Sequence, residues 1–285
     1  PTRRSSDLTG KRIYSLDASD KYTITSYYYD DYGRMVQVHA SNHLGGFEDE
    51  YTAYNFPGTI RQKLHIHTVP NKPVQKEVYS YTYDHVNRLL TTSHKLNDLP
   101  EKILLSNSYD EIGRLQKQSK ATETSVYTYN VRDWLTGISG NFFSETLAYN
   151  TAVGGISPQV ASYSGNISAM QWKAGMEKVI RGYQFRYDHI NRLTHALYGE
   201  GNNITINDKY NEILTYDLMG NILTLRRHGK HDSGFGLIDK LAYRYNGNQL
   251  IKVTDAATAS VTSYGAFQFV DGADVENEYV YDANG

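Results

Sequence analysis

Apolar and polar residues alternate with period two along most of the chain, in short runs broken by Asp, Asn and Gly. Tyr81-Thr82-Tyr83 and Tyr127-Thr128-Tyr129 show the pattern: two rings fall on one face of a strand and the threonine on the other. Each run ends in Asp or Asn, and three positions later comes Gly33, Gly113 or Gly220, or else Asn87 or Asn191. The Asp or Asn side chain can accept a hydrogen bond from the backbone two residues on. Gly and Asn share a tolerance of positive φ, and Asp133 is a fainter version of that choice. A type I turn closed by a left-handed residue is a common hairpin connection. The pattern therefore predicts an all-β chain of hairpins, with turns at 30–33, 84–87, 110–113, 188–191 and 217–220. No helix is predicted.

The turn signal belongs to an internal repeat. Its copies carry Tyr29, Asp30, Gly33 and Arg34; Tyr83, Asp84, Asn87 and Arg88; Tyr109, Asp110, Gly113 and Arg114; and Tyr187, Asp188, Asn191 and Arg192. Tyr216, Asp217 and Gly220 form another copy, and Tyr281-Asp282 opens one more. Asn replaces Asp in Tyr129-Asn130 and Tyr245-Asn246, and weaker copies stand at Tyr54-Asn55 and Tyr149-Asn150. Without the last, the spacing runs from 20 residues (Asp110 to Asn130) to 36 (Asn246 to Asp282), apart from the 58 residues between Asn130 and Asp188. Residues 151–182 depart from the pattern, yet Tyr163-Ser164-Gly165-Asn166-Ile167 before Met170-Gln171-Trp172 still reads as turn then strand. Residues 199–203 and 228–236 read as exposed loops. Repeats of this kind are stable only when stacked, because one hairpin cannot bury its aromatic face.

Composition sharpens this picture. The 285 residues include 26 Tyr against 8 Phe and 2 Trp, which suits half-buried strands with packed rings and wet hydroxyls. With 29 Lys+Arg against 31 Asp+Glu, nothing points to nucleic acid. There is no Cys, hence no disulfide framework or thiolate metal site, and no apolar run is long enough for a membrane helix. Pro1 to Leu8 resembles translated adapter sequence, so residues 1–10 are expected to be a non-native leader that packs against nothing, and 11–285 a repeat array truncated at its C-terminal end.

Candidate chemistry is sparse. His65-Ile66-His67 places two imidazoles on one strand face, a zinc-compatible pair with no third ligand nearby in sequence. The repeated Asp residues suggest a glycosidase pair. However, a catalytic pair is normally unique, whereas these recur in equivalent turns, and Asn130 and Asn246 retain the turn without the acid. Asp271-Gly272-Ala273-Asp274 lacks the further oxygen ligands of a calcium loop. No phosphate-binding loop or nucleophile elbow is present. We therefore expect no enzyme activity, no cofactor and no catalytic or metal residues. The repeat arginines are expected to stack on tyrosine rings or pair with turn carboxylates.

The motif Y-x-Y-D-x-x-G-R-L, with its correlated Gly/Asn exchange, resembles the YD or RHS repeat family over roughly residues 11–285. Tyr127 to Thr136 is similar to the variant found in Bacteroidetes proteins of that family. The resemblance implies stacked hairpins in a curved, spiralling open sheet, part of a shell around a C-terminal toxin-like polypeptide of the same full-length chain. It also implies a secreted or cell-surface bacterial protein, with no signal peptide in the sequence itself. An alternative partner is a cell-surface glycan bound by the repeat face, as in a carbohydrate-binding or adhesion module. The motif tyrosines are expected to form ladders across adjacent strands, over an inner face too polar for a dry core.

Overall fold

A computed structural model describes residues 9–15, 21–158, 160–262, 267–282 and 285. Among these there are twenty strands and no helix, and every pairing between strands is antiparallel. The chain forms two compact units, residues 1–125 and 126–285.

The first unit is a meander in which each strand pairs with its successor: β1 (Gly10–Tyr14), β2 (Tyr22–Tyr29), β3 (Met35–Ser41), β4 (Phe47–Tyr54), β5 (Ile60–Thr68), β6 (Gln75–Tyr83), β7 (Leu89–Leu96), β8 (Lys102–Tyr109) and β9 (Leu115–Lys120). No described pairing joins β1 to β9, so this sheet is open. It contains no buried hydrophobic side chain among the described residues. Half-buried positions carry it instead, including the polar row Glu48, Glu50, Lys63, His65 and His67. The expected leader covers residues 1–8, which lie outside the described residues, and Thr9 and Gly10. The Thr9 carbonyl accepts the Tyr27 N–H (3.0 Å), and Gly10 belongs to β1.

In the second unit, β10 (Glu123–Tyr129), whose first three residues precede the division, pairs from Val126 onward with β11 (Leu135–Ser139). The meander continues through β12 (Phe143–Ala148), β13 (Ala169–Ala174), β14 (Arg181–Tyr187) and β15 (Leu193–Glu200). β15 pairs with both the short β16 (Thr205–Ile206) and β17 (Glu212–Tyr216). β18 (Ile222–His231), β19 (Gly234–Asn246) and β20 (Gln249–Asp255) follow in order, with no described pairing back to β10. Two loop expectations are corrected here. Residues 228–236 are the end of the β18–β19 hairpin, since His228 to His231 pair with Leu237 to Gly234, and Gly199 is buried within β15.

The irregular segment between β12 and β13 builds the dry core of this unit. Val153 and Ile156 exchange backbone hydrogen bonds (2.9 and 2.8 Å) and pack with Ala148, Ala169 and Ile204, all buried. Gly182 is required beneath them. A Cβ there would lie 2.6 Å from the Met170 carbonyl oxygen and 2.7 Å from Ile204. Residues 267–282 are strapped across β18–β20. Asp239, fully buried, accepts from Arg227 Nε (2.6 Å) and from the Phe269 N–H (2.6 Å), and the Glu278 carboxylate accepts the Val253 N–H (3.0 Å).

Candidate functional site

The repeat motif is a single device built many times, and it begins with the turn. Gly33, Asn87, Gly113, Asn191 and Gly220 all have positive φ, between 65° and 98°. Each donates its N–H to the carbonyl of the Asp three residues earlier, at 3.0–3.3 Å. Asp133 after Asn130 (φ 63°) and Gly58 after Asn55 (φ 93°) do the same. The pairing then skips one residue on the return strand, so Tyr83 faces Leu89 and Thr82 faces Thr91. The same bulge recurs at Tyr29, Tyr54, Tyr109, Tyr129, Tyr187, Tyr216 and Tyr245. Such bulges re-aim side chains.

The aspartate then clamps its own turn. Asp84 Oδ1 accepts the N–H groups of Val86 (3.0 Å) and Arg88 (2.9 Å), and Oδ2 accepts Arg88 Nε (2.6 Å). Asp30, Asp110 and Asp188 repeat this with Arg34, Arg114 and Arg192. In Asp217 the partner is Asn221, and Asn130 Oδ1 keeps the two backbone bonds, from the N–H groups of Arg132 and Trp134. Burial raises each of the four arginine-bound carboxyls, but the N–H donors and guanidinium outweigh it, leaving them below the ordinary carboxylate range. A carboxylate held this way is charged and saturated with donors, the opposite of what a general acid needs.

The clamped arginine reaches onward to the tyrosine of the next copy. Arg34 lies over Tyr54 (4.8 Å from the ring centroid), Arg88 over Tyr109 (4.5 Å) and Arg192 over Tyr216 (4.6 Å). The motif tyrosine's hydroxyl donates back to a carbonyl at or near the start of the preceding return strand. The pairs are Tyr54 to Met35 (2.8 Å), Tyr83 to Ile60 (2.7 Å), Tyr109 to Leu89 (2.9 Å), Tyr149 to Leu135 (2.8 Å) and Tyr187 to Ile167 (2.8 Å). Tyr216 to Leu193 (2.7 Å), Tyr245 to Ile222 (2.9 Å) and Tyr281 to Leu250 (2.9 Å) complete the series. Burial pushes the hydroxyls of Tyr83, Tyr149, Tyr187, Tyr216 and Tyr245 above their ordinary range. The Asp282 carbonyl accepts the Gly285 N–H at 3.2 Å. The copy at Asn246 differs: Asn246 pairs with Gln249 around a two-residue turn with Gly247 at φ 59°, yet its tyrosine clasp is intact.

Two expectations change. An arginine, not a second tyrosine, covers the rings of Tyr54, Tyr109 and Tyr216, so the motif tyrosines there do not form the expected ladder. A ladder does exist, but of residues outside the motif. Trp172, Tyr183, Tyr198, Tyr210 and Phe235 follow one another at centroid distances of 5.7, 5.4, 5.0 and 5.3 Å. Sequence reasoning missed this ladder, and only its strand alternation could have signalled it.

The tertiary structure also gives His65 and His67 a third group. Each imidazole binds a different oxygen of Glu48, at 2.9 and 2.6 Å, and Asn42 donates to the same carboxylate. Burial pulls Glu48 up, but Asn42, His67 and His65 hold it below the usual range. Asp271, Asp274 and Glu278 bring carboxylate oxygens within 4.8 Å of one another, but Lys252 Nζ already sits 2.8 Å from Asp274 and 3.7 Å from Glu278. That ammonium supplies the local countercharge.

No family model matches the chain, and no curated protein matches it. Among solved structures it is similar to a Photorhabdus luminescens Tc holotoxin pore carrying a mutated TccC3, with 14% identity over 83% of this chain and 13% of that one, at a TM-score of 0.29. It is also similar to a complex of TcdB2, TccC3 and Cdc42, with 12% identity over 86% of this chain and 15% of that one, at a TM-score of 0.30. The chain thus spans a small part of each.

Proposed function

We propose that this chain is a wall segment of a YD- or RHS-repeat shell, in a secreted or surface bacterial protein, enclosing a C-terminal toxin-like polypeptide of the same full-length chain. The observation that carries the reading is the clasp. Eight tyrosine hydroxyls, each from a different copy, fasten their hairpins to the one before. A motif spent on joining neighbours specifies an extended wall, because each repeat is completed only by the next. The same use of the motif weakens the glycan reading: hydroxyls and arginine-covered rings engaged internally are not available to a sugar. It weakens catalysis too, since the repeated carboxylates are saturated by their own turns.

The test is protection. The full-length product of the gene encoding this chain should shield its C-terminal polypeptide from added protease, while the same polypeptide made alone is digested. Digestion at equal rates in both settings would overturn the shell reading.

A further inference from the structure

The second unit contains a pocket that the repeat does not explain. It has a volume of about 480 Å³ and is bordered by β12, β13, β14, β15 and β17. Phe143, Trp172, Tyr183 and Phe185 form its apolar wall. Trp172 and Tyr183 lie 5.7 Å apart with planes 15° from parallel, and Tyr183 and Phe185 lie 5.7 Å apart at 20°. Strand register brings Glu145 opposite Trp172, and Glu212 opposite Ala196. Both glutamates line the pocket, which has no Lys, Arg or His in its lining.

Neighbouring cations are committed elsewhere. Arg227 stands directly across from Glu212 in the β17–β18 pairing, but its guanidinium is held by the buried Asp239. Arg181, across from Trp172, is paired with Glu177. Among the described residues, neither Glu145 nor Glu212 has a hydrogen bond or ion pair with another side chain. Burial alone raises the Glu145 carboxyl above its ordinary range, and nothing offsets it. Half-buried carboxylates without a partner are costly. Ring faces carry negative quadrupole charge and attract cations, most strongly when the cation is desolvated.

We propose that this pocket binds an organic cation, an alkylammonium or guanidinium group, with Glu145 and Glu212 as its countercharges and the Trp172–Tyr183–Phe185 wall against its body. The volume falls within the range of small-ligand sites. This assignment stands independently of the shell reading, because it uses none of the turn carboxylates, arginines or clasp hydroxyls, and of the side chains it invokes only Phe185 belongs to a motif copy.

Trp172 makes the site observable. The chain has two tryptophans, and the other, Trp134, packs on Tyr149. In a Trp134→Phe variant of the whole chain, indole fluorescence therefore reports the pocket. The probes are choline, its uncharged isostere with carbon in place of nitrogen, agmatine, and a blocked Gly-Lys-Gly peptide. We expect saturable quenching by at least one cation and roughly tenfold weaker response to the isostere. The Glu145→Gln/Glu212→Gln double variant should lose about tenfold in affinity for that cation. Binding of free amines but not the peptide would identify a small-molecule cation, and the reverse a polypeptide side chain. Either supports the site. Equal response to choline and its isostere, no saturable response to any cation, or binding only by a neutral oligosaccharide such as cellohexaose overturns it. Should the double variant fail to fold by circular dichroism, the isostere comparison on otherwise native protein still decides.

Discussion

Replacing Tyr83 with Phe removes one oxygen and leaves the packed ring, so it isolates the clasp. Tyr83 donates to the Ile60 carbonyl at 2.7 Å, and among the described residues no second side-chain donor reaches that oxygen. A net hydrogen bond contributes about 1 kcal/mol, and an acceptor left without a partner adds to the loss. We therefore expect Tyr83→Phe to cost about 1 to 1.5 kcal/mol. Tyr109→Phe provides the internal control within the same unit. The Leu89 carbonyl accepts both Tyr109 (2.9 Å) and Asn107 Nδ2 (3.1 Å), so losing one donor leaves it paired. That variant should cost roughly half as much, about 0.5 kcal/mol. Removing both donors, as Tyr109→Phe with Asn107→Ala, should cost more than the sum of the single changes. The assay is urea unfolding of the whole chain, with native-state hydrogen exchange at Ile60 and Leu89 to keep the readout local. Tyr83→Phe within about 0.3 kcal/mol of the parent, or Tyr109→Phe as costly as Tyr83→Phe, would refute the clasp as a stabilising link.

Three further outcomes are expected. Asn87, at φ 65°, should tolerate Gly but lose about 1 kcal/mol as Ala, read from unfolding midpoints; equal midpoints would mean the turn is not left-handed there. The carboxyls of Asp30, Asp84, Asp110 and Asp188 are depressed in the fold, so their stabilisation is fully present above the unfolded value near pH 4 and is lost as pH falls through the folded values. The stability gap between the parent and Asp84→Asn should accordingly shrink in strong acid, and a gap independent of pH would contradict the clamp. Asp239→Ala leaves Arg227 without its buried counter-ion and frees Phe269, so we expect a loss of about 3 kcal/mol and early proteolysis within residues 267–282; an intact C-terminal strap would refute that role.

How much of this was legible depends on the range of the interaction. The turn at Asp84-His85-Val86-Asn87 was readable because its determinants lie within five residues: an acceptor side chain, a left-handed residue and a return strand. Arg88 was readable as a partner of Asp84 or of a ring, and it is both. Asn246 shows the limit of even this local code. It heads a motif copy, but Gly247 next to it permits a tighter turn than the motif dictates. The tyrosine clasp was not readable, because its partner lies 14 to 31 residues upstream across connections of unequal length. Only the pairing of adjacent hairpins brings Tyr83 to Ile60 or Tyr281 to Leu250. The same holds for Glu48 between His65 and His67, for Asp239 beneath Phe269, and for Glu145 and Glu212 around one aromatic wall. By itself the sequence determined that the chain makes hairpins and where each one turns, since sterics and hydrogen bonds within a few residues decide that. Which carbonyl each hydroxyl finds, and which carboxylates go without a partner, is decided by register between strands, and register exists only once the sheet is assembled.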